Sequence, residues 1–477
     1  MQIGNKFRCY PTQSQEQILL QWIGCQRHIY NAKVSEDQYF RRFARKSLTH
    51  AGAFAPIDQQ YAHFKSDLTP WLSEVPSQLL RNGAYLWVSA YAKFFNKLSQ
   101  RPKKHQKHGA QSVWITSELF EFVKHVNEIS GEITFTLFLG SKKFKFGELK
   151  FKAHRSFTTP ASIHITVQAG RWTIGFTNED DIPEPIERET MEWLSSFTES
   201  ELSERTVGID RGTVKKLALS DGRIMDMSAS QKIEIVRLMK RQKHYQRQMA
   251  NRIKGSNRRK KSKQHVARID LRLADMRHDF AHQSSHSMVA DPKYLLFVFE
   301  ALKVKNMSAS AKGTADEPGK NVRQKAGLNR SILGAVWGKT LIFTRYKALR
   351  SGKLCIEVPP HYSSQECAEC EHTDAGNRPD QATFVCLSCK HADNADNNAA
   401  RVVAKRGVKL ILSGDLIKKK KKTCVVKRKM VGEDSAEPVG VIQRTLEEIL
   451  VSHHAVTGMT HGSLIREETP ATTFLYV

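Results

Sequence analysis

Apolar residues along this 477-residue chain recur with two different periods, and the switches between them mark out its parts. Residues 1 to 10 read as a short strand. PTQSQEQILLQWIGCQRHIYNAKV then reads as a helix, with Thr12 as N-cap, Gln15 completing a capping box, and Ile18, Leu19, Trp22 and Ile23 as its apolar stripe. SQLLRNGAYLWVSAYAKFFNKL, residues 77 to 98, predicts a second helix, followed by the basic loop RPKKHQKHG. From about residue 130 the period changes to two: GEITFTLFLG, GELKFKAH, ASIHITVQAG and RWTIGFTNE alternate between glycines and read as strands. The acidic stretch from 178 to 204 reads as a linker with a short helix. At residue 206 a buried-type strand, TVGID, begins a new region. Two strands around an Asp-Gly turn follow, then a long polar helical hairpin over 230–290, whose turn lies in RIKGSNRRKKSKQHVAR. YLLFVFEALKV and KLCIEVPP predict further buried strands, with the amphipathic helix GAVWGKTLIFTRYKALRSG between them. DNNAARVVAKRG predicts a closing helix. There are no internal repeats.

Composition narrows the class. At 40% apolar residues the chain can bury sizeable cores, and its formal net charge of +27 points to a polyanionic partner, most often nucleic acid. No run of about 18 apolar residues predicts a membrane span. MQIGNKFRCYPTQSQEQ lacks the apolar core of a secretory signal. With eight cysteines and no signal, a reducing compartment is expected, where paired cysteines hold metal more often than they form disulfides.

Two constellations carry chemistry. Cys367-x2-Cys370 and Cys386-x2-Cys389 have the two-knuckle spacing of a zinc ribbon. A closed site of four thiolates has no position open for substrate, so one Zn²⁺ there is structural. Cys9, Cys25, Cys355 and Cys424 lack such partners and read as structural or free thiols. The second constellation is acidic. Asp210 follows the first strand of the new region, Glu300 ends a later strand, and Asp396 opens the last helix. That order is expected of an RNase H-like nuclease core. Three converging carboxylates need cations, and two Mg²⁺ about 4 Å apart would clamp a phosphodiester for in-line displacement. Asp393 is a rival for the third position. Asp396 is preferred because it directly precedes the small-residue face of NADNNAA.

Together these residues resemble the TnpB family, which insertion sequences encode and which is related to compact type V CRISPR effectors. The resemblance runs from about residue 4 to about residue 425. FRCYPTQSQEQILL and GCQRHIYN are similar to the family's opening, and TVGIDRGTVKKLALSDG to its first RuvC motif. FEALKVKNM with KAGLNRSILGAVWG is similar to the second. VPPHYSSQECAEC with NRPDQATFVCLSCKHADNADNNAARVV is similar to the ribbon and third motif. The resemblance puts Asp210, Glu300 and Asp396 on the family's catalytic acids and the four paired cysteines on its zinc ligands. It implies an RNA-guided DNA endonuclease with a guide noncoding RNA and target DNA as partners, in a bacterial-type cytoplasm at the nucleoid. Ala301 departs from the family, which often carries an acid there.

The implied fold class is multidomain α+β. A β-rich, wedge-like domain (1–12 and 125–180) carries an inserted helical recognition domain (13–124), and a linker (181–205) follows. The RuvC-like α/β domain (206–365 and 391–410) has a helical insertion at 230–290 and an inserted zinc ribbon at 366–390; a basic, weakly ordered tail covers 411–477. Two other classes stay open: a guided repressor with a dead nuclease, argued against by the complete triad, and a cut-and-paste transposase, which needs a helix-turn-helix that the sequence does not display. The exposed charges of the hairpin, Arg258, Arg259, Lys260 and Lys261, are expected on phosphates. Gln78 and Asn82, four apart on one helix face, are expected either to read bases beside the target or to be ordinary exposed helix residues.

Overall fold

A computed structural model describes residues 2–52, 56–126, 133–179, 185–314 and 316–416. The chain divides into two units, with main spans 1–181 and 182–433. The tail after residue 416, with Cys424, lies outside the described residues.

The first unit runs β1 (Gln2–Cys9), α1 (Gln13–Tyr39), α2 (Arg45–His50), α3 (Ser77–Phe95), β2 (Gln111–Thr116), β3 (Phe120–Val126), β4 (Ile133–Gly140), β5 (Lys145–Leu149), β6 (Phe151–Lys152), β7 (Ser162–Gln168) and β8 (Arg171–Glu179). One antiparallel sheet has the order β2-β7-β8-β1-β6, and a second is β3-β4-β5. α1 starts where the sequence says it should. Thr12 accepts from the Gln15 backbone N–H, and the Gln15 side chain accepts from the Thr12 N–H. Its stripe of Leu19, Trp22 and Ile23 is buried against Val113, Ile115, Ile163 and Ile165.

The two sheets also claim residues that the sequence pattern assigns to the helical insertion. β2 and all but the end of β3 lie within 13–124, and Val113 and Ile115 point fully into the core. β2 is an edge strand, so its outward backbone groups need partners. α1 supplies them: the Gln26 side chain accepts from Trp114 N at 2.8 Å and donates to Trp114 O at 2.9 Å.

The second unit runs α4 (Glu187–Leu194), α5 (Glu199–Glu204), β9 (Thr206–Asp210), β10 (Leu217–Leu219), β11 (Ile224–Met225), α6 (Ala229–Asn251), α7 (Asn257–Ala290), β12 (Leu296–Glu300), α8 (Val304–Met307), α9 (Val322–Gly334), α10 (Trp337–Arg350), β13 (Leu354–Val358), β14 (Thr383–Val385), β15 (Ala392–Asn394) and α11 (Ala395–Leu412). Its main sheet has the order β11-β10-β9-β12-β13, with β9, β12 and β13 parallel and the β9-β10-β11 pairings antiparallel.

The pleat explains why β12 is apolar throughout. Leu296 and Val298 pack on one face with Leu194, Leu202 and Val403, whereas Phe297 and Phe299 pack on the other with Phe280, Met288 and Leu341. A strand covered on both sides has no polar face. The acidic stretch before residue 206 is therefore more than a linker. Among its described residues α4 and α5 form part of a covering layer, and Leu194 and Leu202 are fully buried.

α11 lies unusually close to the sheet because two glycines remove side chains from the contact. A Cβ on Gly208 of β9 would stand 2.0 Å from Ala400 O, and one on Gly407 of α11 would stand 2.3 Å from Val298 Cγ2. Neither fits without moving backbone or a core valine. Among the described residues, no helix is long and apolar enough to cross a membrane.

Candidate active site and metal centre

Alternation and register decide where the acids go. In β9 the residues on the α11 side are Gly208 and, two further along, Asp210; in β12 they are Leu296, Val298 and then Glu300. Ile209 pairs with Phe299, so the residues after them, Asp210 and Glu300, end neighbouring parallel strands on the same face. Asp396 stands in the first turn of α11, the helix that covers this face.

Asp210 senses the other two acids. Burial first, and then the charges of Glu300 and Asp396, push the Asp210 carboxyl up to about 7. Asp393 is directed elsewhere. It sits in β15 opposite Phe384, and its carboxylate lies 3.6 Å from Arg401. Among the described residues only the four paired cysteines bring three or more ligand atoms within 4.8 Å of one another, so the acid cluster is the more open of the two.

Residues not singled out from sequence hold the acids. Ser363 Oγ donates to Glu300 Oε1 at 2.5 Å. The buried Arg211 donates to the Glu300 carbonyl and stands over the Phe299 ring. Burial lowers its guanidinium pKa, against the opposing charges of Glu357, Glu300 and Asp210. Trp337 Nε1 donates to Gly212 O at 3.1 Å and pins the turn after Asp210. Arg378 reaches to 3.9 Å from Asp396.

The cysteines form two matching knuckles. Cys367 N donates to His372 O and Glu371 N to Cys367 O; Cys386 N donates to His391 O and Lys390 N to Cys386 O. Sulfur separations are 3.7 Å for Cys367–Cys389 and 3.6 Å for Cys370–Cys386. Thiolates around one zinc-sized ion, with bonds of about 2.3 Å, give tetrahedral edges of about 3.8 Å. The set fits such an ion. Cys9, Cys25 and Cys355 are free and buried.

The ribbon is bonded to the acid-bearing helix. β15 runs directly into α11, and Asn394, at the junction, caps the helix by accepting from Asp396 N at 3.1 Å. Asn398, fully buried, accepts from Ala368 N inside the first knuckle at 2.9 Å and donates to Glu366 O at 2.7 Å. Nothing in the sequence separates this asparagine from an ordinary polar residue of a first helical turn.

The expected nucleic-acid contacts divide. Arg258, Lys260 and Lys261 are exposed at the start of α7, while Arg259 turns back and donates to Met249 O at 3.1 Å, closing the hairpin. Gln78 is partly buried in the first turn of α3. Asn82 does not fit the expectation. It is 3% exposed, and its amide donates towards Trp114 O (3.3 Å) and Thr116 Oγ1 (3.4 Å), so it supports β2 and cannot reach a base edge as placed.

Three family models match. A "Probable transposase" family covers residues 181–311, a Cas12f1-like TNB domain covers 337–403, and a "Helix-turn-helix domain" covers 1–39. The last segment folds as β1 and the single helix α1. InsQ of Escherichia coli (strain K12), provisionally named an RNA-guided DNA endonuclease, is 29% identical over 414 residues, covering 86% of this chain and 94% of that protein. A Streptomyces pristinaespiralis protein with the same provisional name is 25% identical over 441 residues, covering 92% and 98%. A solved Cas12f1–sgRNA–target DNA complex aligns with 12% identity and a TM-score of 0.46 over 85% of this chain and 98% of that one. The family models and the near full-length relatives accord with the motifs in making the chain similar to the TnpB-like proteins of insertion sequences.

Proposed function

We propose that this protein is an RNA-guided DNA endonuclease of a transposable element, with its nuclease centre at Asp210, Glu300 and Asp396. The observation that carries the reading is the convergence of these acids on one face of a mixed sheet, where burial and then the charges of Glu300 and Asp396 push Asp210 up to about 7. The sheet order, with two antiparallel hairpin strands beside parallel β12 and β13, supports an RNase H-like (RuvC) assignment.

The acid site offers only carboxylate oxygens, the donor set of a hard cation, and Mg²⁺ suits it. Two Mg²⁺ held by Asp210, Glu300 and Asp396 would supply an activated water and charge stabilisation at the scissile phosphate. The chain's own contribution is to hold the acids. Strand ends fix Asp210 and Glu300, the capped helix fixes Asp396, and Arg211 balances part of the negative charge. The four thiolates suit one Zn²⁺ with a structural role.

Both nearly full-length relatives carry the RNA-guided endonuclease name, and the +27 charge accords with guide RNA and target DNA as partners. A DNA substrate of this kind implies a nucleoid-associated, cytoplasmic location. In this reading the first unit contains the wedge-like sheet and recognition helices and carries the reader of target-flanking bases, with Gln78 rather than Asn82 as the candidate contact. Arg258, Lys260 and Lys261 contact phosphates.

A cut-and-paste transposase is the second reading, favoured by the helix-turn-helix family match at 1–39. The single helix observed there speaks against it. Sequencing the RNA that copurifies with the protein separates the two. The proposal expects one discrete noncoding RNA from the element's end; heterogeneous cellular RNA or none contradicts it.

A further inference from the structure

We propose that Ser363 is a positioning residue that sets the carboxylate of Glu300 for cation binding. The inference rests on the reading of Glu300 as a cation ligand of the nuclease site.

Glu300 ends β12, and its backbone is fixed on two sides. Register pairs it with Val358, and Arg211 takes its carbonyl. That fixes the Cα but leaves a side chain with three torsions, and a long acidic side chain carries substantial rotamer freedom. Helices or strands alone do not aim such a carboxylate.

Ser363 does. The two side chains are 5% and 7% exposed, so water competes weakly for their contact. The Ser363 hydroxyl has one proton and two acceptors within reach: Glu300 Oε1 at 2.5 Å and Pro360 O at 3.1 Å. The carboxylate is the shorter and charge-assisted partner, and it takes the proton. One oxygen of Glu300 is thereby held, and the other stays available to a cation.

The backbone places the hydroxyl deliberately. Tyr362, immediately before it, adopts φ 57, in the left-handed region that a bulky side chain seldom occupies. Its carbonyl then accepts from Gln365 N (2.9 Å) and Glu366 N (3.0 Å), closing a single turn that leads into Cys367. The segment between β13 and the first knuckle thus serves two sites at once. Its serine aims a catalytic acid, and its end carries the first thiolate.

Groups that orient a metal ligand from behind commonly contribute tenfold or more to cation affinity. The test is a Mn²⁺ titration of the purified full-length protein followed by electron paramagnetic resonance, paired with the Mg²⁺ dependence of single-turnover DNA cleavage. Wild type is compared with Ser363→Ala, Ser363→Thr, Ser363→Val and Glu300→Gln. We expect Ser363→Ala to weaken Mn²⁺ binding about tenfold and to raise the Mg²⁺ half-saturation by a similar factor, with zinc content unchanged. The Thr and Val variants share a shape, so the difference between them reads the hydroxyl alone even if both crowd the site; Thr is expected to bind more tightly than Val by about the same factor. If Ser363→Ala and the Thr/Val pair match wild type while Glu300→Gln is defective, the positioning role is wrong and the nuclease assignment stands. If Glu300→Gln itself binds Mn²⁺ as wild type does, both are overturned.

Discussion

His164 illustrates how a single residue ties the first unit to pH. It lies in β7 opposite Trp114, with the two rings stacked, and burial pushes its imidazole down to about 4. The fold therefore favours the neutral ring. Below about pH 6.5 the unfolded chain takes a proton that the folded chain refuses until about pH 4, so stability is full above 6.5 and is lost as pH falls through that window. The loss approaches about 3 kcal/mol at its lower end. Thermal unfolding of full-length protein at pH 7 and pH 5 should show a smaller drop for His164→Phe than for wild type. An equal drop in both contradicts the assignment. At this scale the sequence was uneven as a guide. The placement of Asp210 and Glu300 at strand ends and of Asp396 in the first turn of α11 could be read, because a carboxylate at the end of an apolar strand, or opening a helix, stands out from its background. The sequence does not reveal the role of Asn82, because its partner is the short strand β2, whose own signal is weak. Ser363 and Asn398 were invisible as positioning groups, since their roles come from contacts across 63 and about 30 residues of chain.

Among the elements, α11 decides whether there is a site at all. Its approach to the sheet depends on Gly208 and Gly407, where an added Cβ would meet Ala400 O and Val298 at no more than 2.3 Å. Gly407→Ala should cost about 1–3 kcal/mol of the second unit's stability, the usual penalty for overpacking a core, measured by chemical denaturation. A change within error would mean that the helix is not seated so tightly. The ribbon reaches the same helix through Asn398 and the β15–α11 junction. Cys386→Ser is therefore expected to abolish the one tightly bound zinc per chain and to speed proteolysis within α11 as well as within the ribbon. Zinc-free wild-type protein purified without chelators, or protection of α11 unchanged by Cys386→Ser, would count against this coupling. The helices α1 and α3 were legible from their apolar spacing, and β12 from its unbroken apolar run. β2 was not, because its period-two signal spans a few residues beside a basic loop, and burial emerges only once Gln26 and Asn82 cover its edge.

For the molecule as a whole, the net charge of +27 is the property most directly tied to function, and part of it is concentrated at the α6–α7 turn. Arg258, Lys260 and Lys261 are free to meet phosphates, whereas Arg259 is engaged with Met249. Replacing the three exposed residues with Ala should lower the slope of log affinity against log salt by up to about three, with no change in sequence preference. An unchanged slope identifies the hairpin as a solvated turn.

Cleavage of a guide-matched DNA by the protein bound to its own RNA, with Mg²⁺ present, tests the central claim most directly. Wild type should cut. Asp210→Ala, Glu300→Ala and Asp396→Ala should each bind RNA and DNA as wild type does but cut slower on the order of 10³-fold or more, because each removes a cation ligand and no phosphate contact. Asp393→Ala, whose carboxylate faces Arg401, should cut within about threefold of wild type. Normal cutting by Asp396→Ala with loss of cutting in Asp393→Ala would contradict the site, and guide-directed cutting that survives all three acid replacements would contradict the mechanism.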